Sequence, residues 1–299
     1  MSKLIQCVPN FSEGRRADVV QAIVNAIAGS SDVRVIDHSM DADHNRSVVT
    51  FLGAPEDVRR SAVAGARAAV ELIDLNAHTG EHPRIGAVDV IPVVPIRDTT
   101  MAEAVALSYE IGGDIADELH VPVYFYEQSA RSENRANLAE IRRGGFEALK
   151  QSGLKGDREP DLGPSELHPT AGAVVVGARG PLVAFNVNLA INDIAVALAI
   201  ASKMRKLRDT GVALPGVKAI GVFLKSRNLV QVSTNITQPD KVSVHEVYSF
   251  IEAEARAMGI EVLESEVIGA IRQSQLGAPS SALKLNELPP ERIIDYWMR

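Results

Sequence analysis

One order of elements occurs twice in this sequence, and that repetition restricts the fold more than any other feature. The first half reads as a strand over Lys3–Val8, a helix over Gly14–Ala28, strands over Val33–Asp37 and Ser47–Leu52, a helix over Pro55–Leu72 and a strand over Ala87–Pro95. A helical stretch, Met101–Leu119, and a short strand, Val121–Tyr126, follow. The second half repeats the pattern: strand Leu182–Val187, helix Asn192–Arg208, strands Val217–Leu224 and Leu229–Asn235, helix Val242–Met258, strand Ile260–Leu263. Helices are assigned from apolar spacing: Val19, Val20, Ile23 and Ile27 fall on one face, with Ser12 as the expected N-cap. Each β-α-β-β-α-β unit can bury one side of a sheet under its helices. Two units in 299 residues therefore predict an α/β (α+β) chain of two ferredoxin-like subdomains, mixed sheets with helices on one face, spanning 1–180 and 181–299.

Charge and hydropathy narrow the partners. With 31 basic against 38 acidic residues the net charge is −7, and no Lys/Arg run offsets it, so nucleic acid is not an expected partner. The opening Met1-Ser2-Lys3-Leu4-Ile5-Gln6-Cys7 has no apolar core of signal-peptide length, and longer apolar stretches are interrupted by charge, so no membrane contact and a cytoplasmic location are expected. Cys7 lies in an apolar strand and reads as an inert core thiol. Gln151–Gly172, rich in Gly, Pro, Asp and Glu, lacks apolar periodicity and reads either as a connector or as a ligand-covering loop. Pro289–Trp297 reads as one short amphipathic helix after a proline stop.

The densest chemistry is Asn76-Ala77-His78-Thr79-Gly80-Glu81-His82-Pro83-Arg84-Ile85-Gly86-Ala87-Val88-Asp89. His78 to His82 matches the zinc-protease pattern H-x-x-E-H, which needs a helix to put both imidazoles on one face. Gly80 weakens such a helix and Pro83 pushes His82 out of the α region, so no metal is expected. Two readings of His82 stay open: a structurally hydrogen-bonded residue of a polar loop, or a general acid/base whose neutral form is available near pH 7. A second cluster, Asp37-His38-Ser39-Met40-Asp41-Ala42-Asp43-His44-Asn45-Arg46, opens like a calcium loop, but Arg46 stands at the glycine position and Leu52 at the twelfth. Asp41 and Asp43 fit a solvated hairpin; Asp37 and Arg46, at strand edges, are site candidates. P-loop, Rossmann and G-x-S-x-G signatures are missing from the sequence.

Cys7-Val8-Pro9-Asn10-Phe11-Ser12-Glu13-Gly14, Gly80 to Asp89, Val121-Pro122-Val123-Tyr124-Phe125-Tyr126, His168-Pro169-Thr170-Ala171-Gly172, Gly177-Ala178-Arg179, Ala184-Phe185-Asn186-Val187-Asn188-Leu189 and Gln231-Val232-Ser233-Thr234-Asn235 resemble, in order, the motifs of the glutamate formimidoyltransferase family. The resemblance covers nearly the whole chain. It implies transfer of the formimidoyl group from N-formimidoylglutamate to tetrahydrofolate as co-substrate, two α/β subdomains with a folate tunnel between them, and a homodimer. Some members continue into a cyclodeaminase module; the stand-alone form is expected here. The family's catalytic histidine falls on His82. Its folate-contacting segment falls on Gly163-Pro164-Ser165-Glu166-Leu167-His168-Pro169-Thr170-Ala171-Gly172. Ser39 departs from the aspartate that some members carry, which leaves Asp37 as the nearby carboxylate.

The chemistry required by such a transfer matches these residue types. A folate amine loses a proton as it attacks the amidine carbon, and the departing glutamate nitrogen gains one; a single neutral imidazole can do both in turn. The cationic amidine calls for carboxylate and amide partners, for which Asp37, Asp89, Asn10 and Asn186 are candidates, each also fitting a strand-end or turn hydrogen bonder. Substrate carboxylates call for arginines, and Arg46, Arg84 and Arg179 are expected there, with Tyr126 also in the site. Two other functions share these residues: formyl transfer between 5-formyltetrahydrofolate and glutamate, and folate binding without catalysis.

Overall fold

The computed structural model describes residues 3–80 and 83–298. Contacts divide the chain into two units, Met1–Arg179 and Gly180–Arg299.

The first unit runs β1 (Leu4–Cys7), β2 (Asn10–Phe11), α1 (Ala17–Ser30), β3 (Arg34–Asp41), β4 (Arg46–Gly53), α2 (Pro55–Leu72), β5 (Val88–Arg97), α3 (Met101–Leu119), β6 (Val123–Phe125), α4 (Leu138–Ile141), α5 (Gly145–Ser152) and β7 (Val174–Ala178). β1 and β2 act as one strand interrupted near Pro9, since both pair antiparallel with β4 on one side and β5 on the other. β3 pairs with β4 at one edge, while β7 and then β6 extend the sheet beyond β5 with parallel pairing. The sheet is therefore mixed. Helices α1 to α3 cover one face: Val19, Val20, Ile23 and Ile27 join Phe11, Val49 and Phe51 in one buried cluster. A smaller cluster joins Val90, Tyr124, Tyr126 and Val175 of the sheet to Leu149 and Leu154, with Leu138 and Ile141 packed on it. The expectation of helices on one face thus holds for α1 to α3, while α4 and α5 belong to a second apolar layer.

Physical stop signals explain where the sequence reading is right. α2 and α3 have the expected bounds because Pro55 suits the first helical position and Thr100 with Glu103 forms a capping box. α1 begins three residues later than expected. Ser12 is not its cap: the hydroxyl donates to the Gly86 carbonyl at 2.6 Å, and Arg16 holds the cap position. β7 is an unexpected strand, as is the short β2. β7 inserts beside β5, so Gln151–Gly172 is an excursion within the first unit rather than a connector between the halves.

The second unit runs β8 (Val183–Leu189), α6 (Ile194–Asp209), β9 (Val217–Leu224), β10 (Leu229–Ile236), α7 (Val244–Ala257) and β11 (Val262–Ile268). The strands lie in the order β11–β8–β10–β9, wholly antiparallel where a mixed sheet is expected. Phe185, Val187, Val230 and Val232 bury their side chains in one cluster with Ile200, Met204, Val247 and Ile251. At the end of the chain, Pro290–Arg292 and Ile294–Met298 form two short 3-10 turns instead of one amphipathic helix.

Phe51 is fully buried in the cluster of the first unit. Phe51→Ala is expected to lower unfolding free energy by about 3–5 kcal/mol, read from the urea midpoint, and an unchanged midpoint would contradict this packing.

Candidate functional site

Strand register sorts the polar residues of the first unit onto one face. Side chains alternate along a strand, and Val49 and Phe51 of β4 join the cluster under the helices, so Arg46, Val48 and Thr50 point the other way. Asn10 and Ser39 pair with Val48 from opposite sides. A bulge between Val35 and Asp37 brings Asp37 opposite Thr50. Asn10, Asp37, Ser39 and Arg46 consequently share that face.

A buried polar cluster forms around Asn10. Its side-chain amide donates to the Val8 carbonyl at 2.8 Å, and its oxygen accepts from Arg46 Nη2. Phe11 pairs with Val88 and Asn10 with Val90, which leaves Asp89 as the extra residue of a bulge in β5. Both Asp89 oxygens are engaged: Oδ1 accepts from the Ile85 N–H at 2.9 Å and Oδ2 from Arg142 Nη2. That side chain is 3% exposed. Arg46 Nε and Arg142 Nε are buried without a hydrogen-bond partner. Burial and then the positive charge of Arg142 push the Arg46 guanidinium down to about 10, against the opposing pull of Asp89 and Asp41. Tyr126 is buried, which pushes its phenol up to about 12 against the opposing positive charge of Arg179. Asn10, Arg46 and Asp89, singled out by sequence, thus gather around Arg142, which the sequence does not single out. Asp89, expected as a carboxylate for the reacting group, is instead committed to Arg142 and Ile85.

Glu81 and His82 lie outside the described residues. The segment before them is held on the β3–β4 hairpin. His78 Nε2 meets the Asn45 carbonyl at 2.9 Å, and Asn45 Nδ2 donates to the Thr79 carbonyl at 2.9 Å. Gly80 comes so close that a Cβ there would stand 2.4 Å from the His44 carbonyl oxygen, hence the glycine. Further along the chain, Arg84 pairs with Glu147 at 2.8 Å and donates to the His78 carbonyl at 3.1 Å. Arg84, expected on a substrate carboxylate, is occupied by an internal one in this structure.

The segment expected to contact folate is fastened at both ends. Val123 exchanges hydrogen bonds with Leu162, just before Gly163, and His168 with Gly172. Leu75 N–H donates to the Thr170 carbonyl and Ala87 N–H to the Ala171 carbonyl, both at 2.9 Å. Gly86 permits that zipper: a Cβ on it would meet the Ala173 carbonyl oxygen at 2.0 Å. Between the fastenings Gly163, Ser165 and Glu166 are exposed. Asn186 belongs to the second unit, where its amide donates to Glu266 at 3.0 Å on the polar face of the sheet, beside Asn188, Gln231 and Glu264. A cavity of about 320 Å³ lies between Tyr124, Arg135, Arg143 and Arg158; it is lined by Tyr124 of the Val121–Tyr126 motif and by Asp157 and Arg158 of the Gln151–Gly172 segment, but by none of the candidate catalytic or binding residues.

The sequence matches the family described as "Formiminotransferase domain, N-terminal subdomain" over residues 4–179, and "Formiminotransferase domain" over residues 184–280. A glutamate formimidoyltransferase from Streptococcus pyogenes serotype M1 is 42% identical over 283 residues, 95% of this chain and 91% of that protein. One from Thermoplasma acidophilum is 41% identical over 298 residues, covering 99% of this chain and 97% of the relative. A formimidoyltransferase-cyclodeaminase from Sus scrofa is 41% identical over 274 residues, which is 91% of this chain but 50% of that protein.

Burial lowers the pKa of His78 below the usual imidazole value, with the nearby Arg84 charge acting in the same direction and the Asn45 bond opposing. Because the folded-state value is depressed, the unfolded chain takes up this proton first as pH falls. The contribution of His78 to stability is therefore complete above about 6.5 and declines as pH drops below it. Titration of its ring by NMR is expected to show a midpoint below 6.5; a midpoint at or above 6.5 would contradict the buried placement.

Proposed function

The chain belongs to the formiminotransferase family, and from that premise we propose that it transfers the formimidoyl group of N-formimidoylglutamate to tetrahydrofolate, giving 5-formimidoyltetrahydrofolate and glutamate, with His82 as the general acid/base. The observation that carries the reading is the charge on one face of the first sheet. Arg46 donates to Asn10, the charge of Arg142 acts on Arg46, and Asp37 shares the face with Arg46 and Asn10. A donor with two carboxylates and a cationic amidinium matches that pairing of opposite charges.

In this mechanism neutral His82 takes the proton of the attacking folate amine as the carbon–nitrogen bond forms. As the amidinium carbon becomes tetrahedral its positive charge passes to the attacking nitrogen and leaves with the proton that His82 takes, and Asp37 supports the cationic reacting group up to and through that transition state. His82 then returns the proton to the glutamate nitrogen as its bond to carbon breaks. No metal takes part. Asn186 and the Gly163–Gly172 segment remain the proposed contacts to the substrates, the latter offering the exposed Ser165 and Glu166 between fixed ends. No described helix is long and apolar enough to cross a membrane, and a cytoplasmic homodimer completes the proposal.

His82→Ala is expected to lower kcat by at least about 100-fold, the usual worth of a positioned acid/base, while tetrahydrofolate binding measured by fluorescence stays within about threefold. The assay follows the folate product by absorbance with N-formimidoylglutamate as donor. Near-normal turnover by the variant would remove His82 from the mechanism, and no turnover by the unsubstituted protein would leave folate binding without catalysis as the function.

A further inference from the structure

The neighbouring guanidiniums of Arg46 and Arg142 leave a charge unaccounted for. Arg142 has Asp89 as its carboxylate, while the hydrogen bond given by Arg46 goes to the neutral amide oxygen of Asn10. Asp89 is the carboxylate bonded to Arg142 and both its oxygens are engaged; Asp37 shares the face but is not among the charges that act on Arg46, and Nε of each arginine is shut off from water and lacks a partner. Asp41 does not restore the balance: one of its oxygens caps the His44 N–H at 2.8 Å and its side chain is 45% exposed, where water screens it. Like charges held close in a poorly hydrated place repel, so the arrangement persists at a cost that an incoming anion would remove. Planar guanidiniums with unfilled N–H positions take a carboxylate, often through two parallel hydrogen bonds.

We infer that Arg46 and Arg142 together form a carboxylate receptor, in which Arg142 binds the glutamate end of a substrate and Asp89 acts as the positioning residue that holds Arg142 in place. Asp89 suits that role because the bulge turns it out of the regular alternation of β5 and fixes it on the Ile85 N–H, so the guanidinium attached to it has one preferred direction. Asn10 does the same for Arg46, anchored in turn on the Val8 carbonyl. Both substrates of the proposed reaction end in glutamate carboxylates, so which of them is held rests on the transfer reading; the receptor itself does not.

The test uses Arg142→Lys and Arg46→Lys, which keep the positive charge beside Asp89 and Asn10 but lose the planar fork. Glutarate, a dicarboxylate without an amidine, serves as the binding probe. Calorimetry with the unsubstituted protein is expected to show one glutarate site, weakened about 10- to 100-fold in each variant, the scale of a lost charge-assisted hydrogen bond. In turnover, each variant is expected to raise KM by a similar factor with kcat within about threefold, a split that a general loss of folding would not give. A rise confined to the KM of N-formimidoylglutamate assigns the receptor to the donor; a rise confined to the KM of tetrahydrofolate assigns it to the folate glutamate. Unchanged glutarate affinity in both variants would overturn the receptor even where transfer is intact. Weakened glutarate binding in a protein that performs no transfer would keep the receptor and remove the transfer reading.

Discussion

The contact between Asp89 and Arg142 joins parts of the first unit that are far apart in sequence. Asp89 sits in β5, the strand that pairs with β1, β2 and β7, and Arg142 follows α4, in the layer that packs on the opposite face from α1 to α3. The pair is almost dry, with the two side chains 3% and 13% exposed. Removing one partner from such a pair typically costs about 3–5 kcal/mol, because the other charge is left buried and alone. The bond therefore does two things at once: it fixes the α4 segment against the sheet and it sets the charge beside Arg46.

The positions of the other residues follow from that center. Arg46 reaches the cluster because it begins β4, and it shares a face with Asn10 because β2 pairs with β4 in the register Asn10 to Val48. The same face carries Asp37 through the β3 bulge. The His78–Gly80 segment is laid on the β3–β4 hairpin by Asn45, and Arg84 on the far side of the undescribed pair is held by Glu147. Family membership supplies the chemistry for this frame, and the proposed roles match its charges: substrate carboxylates to the arginines and a cationic amidine to Asp37.

Local signals made part of this legible in sequence. Pro55 and the Thr100–Glu103 box mark helix starts by chemistry that acts within four residues, so α2 and α3 were placed to the residue. Ser12 misled because an N-cap serine and a serine bonded across the chain look alike, and its hydroxyl goes to Gly86, 74 residues away. β7 is not legible although Val174-Val175-Val176 is apolar throughout: a strand buried on both faces has no alternation to reveal it, and its partners come from β5 and β6. Arg142 escapes sequence reading for a similar reason. It lies in a charged stretch that reads as solvated, and only its bond to Asp89, 53 residues away, marks it as buried. Asp89 and Arg84 were found through their motif, yet sequence alone did not reveal that Arg142, Ile85 and Glu147 already occupy them.

The central claim is that this face is built for a substrate whose ends are anionic and whose reacting group is cationic. A neutral formyl donor would carry the same carboxylates to the same arginines but would develop an oxyanion that Asp37 repels. The direct measurement is kcat/KM for N-formimidoylglutamate and for N-formylglutamate, side by side, with tetrahydrofolate as acceptor. The account predicts a preference for the formimidoyl donor on the order of a hundredfold, the scale of one misplaced charge in a transition state. Equal rates, or a preference for the formyl donor, would contradict it.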